Sequence, residues 1–75
     1  MAQGENKDEV GAALSPRETE ILEATARGLS AVGIASELAI SPHTVRQHLK
    51  AIYRKFGVKN RTGLVVEMAR NGLIS

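Results

Sequence analysis

Residues 41–57, SPHTVRQHLKAIYRKFG, constrain the fold of this chain more than any other stretch. Val45, Leu49, Ile52 and Phe56 recur at i, i+4, i+7 and i+11, which draws one apolar stripe along a helix. His43, Arg46, Gln47, Lys50 and Arg54 share another face, which carries cationic and amide side chains and no acid. The ends are marked as well. Ser41 is a good N-cap, and Pro42 suits the first helical position, where a missing N–H is no loss. Gly57 stops the helix where a positive φ is wanted, and Arg54 and Lys55 in the last turn favour the helix dipole. The predicted helix spans 42–56, roughly 22 Å at about 1.5 Å per residue. One side of it needs a core, and the other is left for solvent or a ligand.

That core is built from little material. The chain has 75 residues, enough for one domain, and with 3% aromatic residues its interior must be aliphatic. It has no cysteine, so no disulfide or zinc–thiolate site reinforces it, and a cytosolic compartment is the default expectation. A core this small supplies only about 3–5 kcal/mol, to which dimerisation or ligand binding adds by mass action. Nothing resembles a signal peptide, and no apolar run approaches the ~18 residues of a membrane span. No catalytic constellation is visible either. The serines lack His/Asp partners at a recognisable spacing, and no GxxxxGK[ST] phosphate loop occurs, so an enzyme is not expected. His43 and His48 do not share a helix face and have no third ligand nearby, so no metal and no other cofactor is expected. A structural hydrogen bond or a phosphate contact suits His48 better.

Charge is distributed unevenly around the net +2. Residues 46–61 hold six basic side chains (Arg46, Lys50, Arg54, Lys55, Lys59, Arg61) and no acid. Residues 14–37 carry a net −2, and residues 1–13 another −2. A one-sided basic field points to a polyanion. An anionic membrane fits less well, because a membrane-lying helix needs a free apolar face, and here that face is committed to a core. Arg, Lys and Gln carry the multiple donors that match base edges and phosphates. A short helix held by one side and offering such groups on the other is what entry into a DNA major groove requires.

Met1 to Ala13 is polar, contains glycine and has no periodicity, and reads as a flexible tail or linker remnant; the domain is placed at 14–75. Four helices and no strand follow, an all-α fold. Ser15-Pro16-Arg17-Glu18 opens the first with a capping box, Leu14 staples onto it, Ile21, Leu22 and Thr25 point inward, and Gly28 ends it. Ser30 caps a short second helix with Ile34, Ala35 and Leu38 inward. Ala39, Ile40 and Ser41 turn the chain into the long third helix. Asn60 caps a fourth, with Leu64, Val65, Met68 and Ala69 as apolar positions and Gly72 as its stop. Two helices joined by a three-residue turn, the second basic and exposed, describe a helix-turn-helix. Its turn has no glycine, although Ala39 is small enough for close helix approach.

These residues resemble the C-terminal DNA-binding domain of LuxR/GerE-type (NarL/FixJ-like) regulators. The likeness runs from Leu14 to about Gly72 through LSPRExEIL at 14–22, GLS at 28–30, IAxxLxISxxTVRxH at 34–48 and KFGVKNRT at 55–62. The resemblance implies a four-helix domain that binds double-stranded DNA as a homodimer, helix three in the major groove and helix four at the dimer contact. It implies base contacts from His43, Arg46, Gln47 and Lys50. Phosphate contacts fall to Thr44, Arg54, Lys59 and Arg61, with Ser30 and Ser41 bringing helix N-termini to the backbone. Arg46 suits a guanine, whose O6 and N7 a guanidinium can bond together. Val66, Glu67 and Arg70, on a different side of helix four from Leu64, Val65 and Met68, are the candidates for the dimer contact.

Three positions depart from the family. Gly33 and Gly63 stand where a side chain usually completes a capping box after Ser30 and Asn60, and Val32 replaces a commoner polar residue. The expected function is a sequence-specific transcriptional regulator on an inverted-repeat operator, in the bacterial cytoplasm and at the nucleoid, with RNA polymerase as a candidate partner. Two alternatives stay open: a sigma-factor-like promoter-recognition domain, and a protein-interaction module that uses the basic face on an acidic partner. The chain could be a complete small regulator or a fragment of a larger one.

Overall fold

The computed structural model describes residues 14–72, so the tail reading of 1–13 and the end of the domain at 73–75 lie outside the described residues. Within them stand four helices and no strand: α1 Pro16–Ala26, α2 Ala31–Leu38, α3 Pro42–Phe56 and α4 Arg61–Arg70. Each begins at the cap expected of it. Ser15 accepts the Glu18 N–H at 3.1 Å while Glu18 accepts the Ser15 N–H at 3.0 Å, so the capping box satisfies two otherwise orphan donors. Ser30, Ser41 and Asn60 accept the N–H groups of Gly33, Thr44 and Gly63 in the same way.

The long third helix packs against all three others, so it is the centre of the fold and not an appendage. Its Val45, Leu49 and Ile52 are buried, and Phe56 is half-buried at the end of the same stripe. Facing them are Ile21, Leu22 and Ala24 of α1, Ile34 and Ala35 of α2, and Leu64 and Met68 of α4. Thr25 also points inward, as expected, and donates its hydroxyl to the Ile21 carbonyl at 2.9 Å, which removes the cost of burying it. Leu14 and Leu38 pack on this core only partly buried, and Ala69, expected among the apolar positions of α4, is exposed.

Two helices end the same way on different residues. At the end of α3, Gly57 takes φ 71°, and the Val58 N–H reaches back to the Tyr53 carbonyl at 2.9 Å. At the end of α2, Ala39 takes φ 59° and the Ile40 N–H reaches the Ala35 carbonyl at 3.0 Å. Ala39 is the one non-glycine residue with positive φ among those described. The turn between α2 and α3 thus needs a left-handed residue, and an alanine occupies it with a Cβ that conformation disfavours. The small side chain is tolerated for its size, but its backbone is strained.

The glycines at the third positions of α2 and α4 also separate. A Cβ on Gly33 would meet Leu29 and Ser30 at 3.6 Å, ordinary contact, whereas one on Gly63 would meet the Val58 Cβ at 3.1 Å. Gly63 therefore has a packing reason to lack a side chain, and Gly33 has none.

Candidate nucleic-acid interface

The core stripe fixes the rotation of α3, and with it what α3 presents to the outside. His43, Arg46, Gln47, Lys50 and Arg54 all come out exposed, on the side roughly opposite Val45, Leu49 and Ile52. Among the described residues, none of these five side chains has a hydrogen-bond or ion-pair partner within the protein. The four residues expected at base edges thus lie together on one face that the fold does not use.

The start of α3 is fixed by its cap. Ser41 holds the Thr44 N–H at 3.0 Å, and the two hydroxyls share a hydrogen bond at 2.9 Å, which leaves Thr44 half-buried against Ser41. Ser30 does the same for α2, and both serines are exposed at helix N-termini, where N–H groups and the dipole favour an anion. Lys59 is exposed in the loop between α3 and α4 and has no partner among the described residues.

Two cations that look alike in sequence are spoken for. Lys55 Nζ lies 2.7 Å from Glu18 Oε1, the oxygen that also accepts the Ser15 N–H, and so ties the end of α3 to the start of α1. The Lys55 hydrogen bond, followed by that from Ser15, holds the buried Glu18 carboxyl below its usual range against the opposing effect of desolvation. His48 is half-buried close enough for its charge to push in the same direction, and it has no hydrogen bond of its own among the described residues.

Arg61, expected on a phosphate, is half-buried and already engaged within the fold. Its guanidinium turns inward and donates to the carbonyls of Thr25 and Leu29. The reason lies in the helix ends. As the first residue of α4, Arg61 sits at the wrong pole of its own helix, but the carbonyl end of α1 lies beside it with no basic residue in its last turn. That missing charge at the end of α1 was the one hint the sequence held. A third cation, Arg27, pairs bidentately with Glu37 at 2.6 and 3.3 Å, an exposed link between α1 and α2 that sequence reading did not find. The Arg27 hydrogen bond keeps the Glu37 carboxyl below its usual range.

On α4, Val66 is 49% exposed and Arg70 is exposed, while Glu67 is half-buried with its carboxylate 3.5 Å from Arg70. The three candidate dimer residues share an outer flank, and two of them are already paired with each other. Tyr53 packs partly buried against the core. Among the described residues, no cluster of three or more His, Cys, Asp or Glu could hold a metal ion, and no helix is long and apolar enough to cross a membrane.

A four-helix domain whose central helix is buried on one side and bears an unused basic-and-amide face on the other is a helix-turn-helix DNA-binding module of the kind found in transcription regulators. Residues 12–68 match the family described as bacterial regulatory proteins, luxR family. The chain belongs to that family. It is 44% identical over 59 residues to the spore germination protein GerE of Bacillus subtilis, across 79% of this chain and 80% of GerE. It is 42% identical over 65 residues to the probable transcriptional regulatory protein NarL of Mycobacterium tuberculosis, across 87% of this chain. The chain spans only 30% of that relative's length. The solved structure of the transcription factor GerE matches with a TM-score of 0.70 at 37% identity, over 83% of this chain and 92% of that one.

Proposed function

We propose that this chain is a sequence-specific double-stranded DNA-binding domain of a transcriptional regulator, which reads an inverted-repeat operator as a homodimer. The observation that carries this reading is the outward face of α3. Four donor-bearing side chains, His43, Arg46, Gln47 and Lys50, stand there exposed and without protein partners among the described residues, on a helix whose other side is locked in the core. With α3 in the major groove, these four meet base edges, Arg46 as the fork for a guanine. Arg54 and Lys59, with Thr44 and the helix starts at Ser30 and Ser41, meet phosphates and fix the register. Val66, Glu67 and Arg70 on the outer flank of α4 meet a second copy, with half-site centres about 10 bp apart. Such a protein acts on DNA in the bacterial cytoplasm and works alongside RNA polymerase.

Fluorescence anisotropy with duplex DNA at increasing salt tests the electrostatic half of this reading. If the dimer neutralises about 8 phosphates, log K falls against log salt with a slope near −7. Binding that ignores salt contradicts the mechanism, and it would favour an acidic protein partner only if such a partner bound through Arg46 and Lys50.

A further inference from the structure

Arg61 stands in the basic stretch that follows α3, but its contacts run across the fold and not outward. Its Nη2 donates to the Thr25 and Leu29 carbonyls, in the last turn of α1 and the connection to α2. Leu29 immediately precedes Ser30, the N-cap of α2. On its own side Arg61 follows Asn60, the N-cap of α4, and lies next but one to the exposed Lys59. One guanidinium therefore joins the turn that presents Ser30 to the loop that presents Lys59. Both bonds leave one nitrogen at the far end of a long side chain, and the guanidinium is more weakly hydrated than the compact ammonium of lysine, so it is the cheaper cation to hold against carbonyls. Connections of this kind open easily when no side chain ties them down. Phosphate contacts set register only if they are held at a fixed spacing.

We infer that Arg61 is a positioning residue for DNA binding: it clamps the Ser30 turn to the Lys59 loop so that both meet the backbone at a set spacing, while its own charge stays off the DNA. This rests on the function proposed above and goes beyond it by separating Arg61 from the cations that touch the ligand.

The test compares Arg61→Ala, Arg61→Lys and Lys59→Ala with the unsubstituted chain, in duplex-binding titrations across salt, at a temperature where melting curves show each protein folded. Both Arg61 variants should lose about tenfold in affinity on every duplex, specific or not, with the salt slope of the unsubstituted chain. Lys59→Ala should instead flatten the slope by about 0.9 per bound copy. Adding Lys59→Ala to Arg61→Ala should flatten the slope as much as Lys59→Ala alone, because in Arg61→Ala the lysine still reaches phosphate and the affinity lost is the cost of ordering an untied loop. Rescue by Arg61→Lys, or a slope flattened in Arg61→Ala, would mean that Arg61 touches phosphate directly and would overturn the inference. So would affinity equal to that of the unsubstituted chain in folded Arg61 variants, which would leave a purely structural role. If Arg61→Ala does not fold, nitrogen-15 spectra of the unsubstituted chain decide instead. The Arg61 guanidinium signals should hold still as DNA is added while those of Lys59 move, and movement of the Arg61 signals overturns the inference. Failure of the unsubstituted chain to bind any duplex would sink both readings, whereas binding with unaffected variants sinks this one alone.

Discussion

Lys50 and Lys55 lie on the same helix and carry the same charge, but the fold treats them differently. Lys55 is held at 2.7 Å by a buried carboxylate that also caps α1, while Lys50 projects from the exposed face without a partner among the described residues. The same division runs through the other cations. Arg27 and Arg61 are engaged with Glu37 and with main-chain carbonyls, whereas Arg46, Arg54 and Lys59 are left over. Positive charge in this chain is thus of two kinds, one that assembles four helices and one that the assembled helices hold out. The difference teaches that a basic stretch is not by itself a binding site. What marks the proposed site is the subset of charges for which the fold provides no partner.

Substitutions in the outer set should move DNA affinity and spare stability, and those at the Lys55–Glu18 and Arg27–Glu37 pairs of the inner set should do the reverse, with Arg61 set apart as the inner cation that also positions phosphate contacts. The largest effect is expected from Arg46→Ala, which should cost about 1–3 kcal/mol of binding to a preferred duplex and relax one base preference. Its melting temperature should stay within the change expected of about ±0.5 kcal/mol for a surface substitution. Equal losses of binding and of stability would erase the distinction between the two sets.

Next comes Glu18→Gln, which keeps the side-chain shape but removes the charge facing Lys55. A loss of about 1–2 kcal/mol at neutral pH is expected, visible in urea or thermal melts, with little change in DNA affinity of the folded protein. The pH dependence has a definite sign. The folded-state carboxyl titrates below its ordinary value, so its stabilisation is fully present above about pH 4.3 and disappears as the pH falls through the lower folded-state range. Glu18→Gln should flatten that part of the stability profile. A variant whose acid unfolding matches the unsubstituted chain would show that the ion pair contributes nothing.

Smaller effects refine the inner set. Ala39→Gly should stabilise by about 0.5–1 kcal/mol, because the left-handed conformation disfavours a Cβ and the gain outweighs the extra freedom glycine brings to the unfolded chain. Melting would rise by roughly 2–8 °C for a domain of this size, and a fall would mean the turn is not strained. Smallest is the paired comparison of Gly33→Ala and Gly63→Ala. The first should gain about 0.5 kcal/mol, having room for its Cβ, while the second should gain less or lose, because Val58 must give way. Identical melting shifts would remove the packing explanation for Gly63.

The long helix was legible in the sequence because three independent signals agreed on it: a stripe at Val45, Leu49 and Ile52, a Ser41-Pro42 start and a Gly57 stop. The separation of its exposed face from its buried one follows from helical spacing alone, so His43, Arg46, Gln47 and Lys50 could be placed together before any fold was known. What spacing cannot convey is contact between residues distant in sequence. Lys55 reaches Glu18 across 37 positions and Arg61 reaches Leu29 across 32, and no local pattern announces either. Arg61 was accordingly grouped with the ligand-facing cations, as the family resemblance implied. Ala39 escaped for a different reason: glycine advertises a left-handed turn, and alanine in the same place does not. Val66 and Arg70 were recognised as lying off the core side of α4, a matter of periodicity, but periodicity does not say what covers them.

Whether the outward face of α3 reads DNA is tested most directly by selection from a random duplex library, run in parallel with the unsubstituted chain and with Arg46→Ala. An inverted repeat with half-site centres about 10 bp apart should be enriched by the first, and the second should keep the repeat while losing preference at one position in each half. Enrichment of no sequence at all, or of an identical motif by both proteins, would contradict the claim that the outward face of α3 reads DNA.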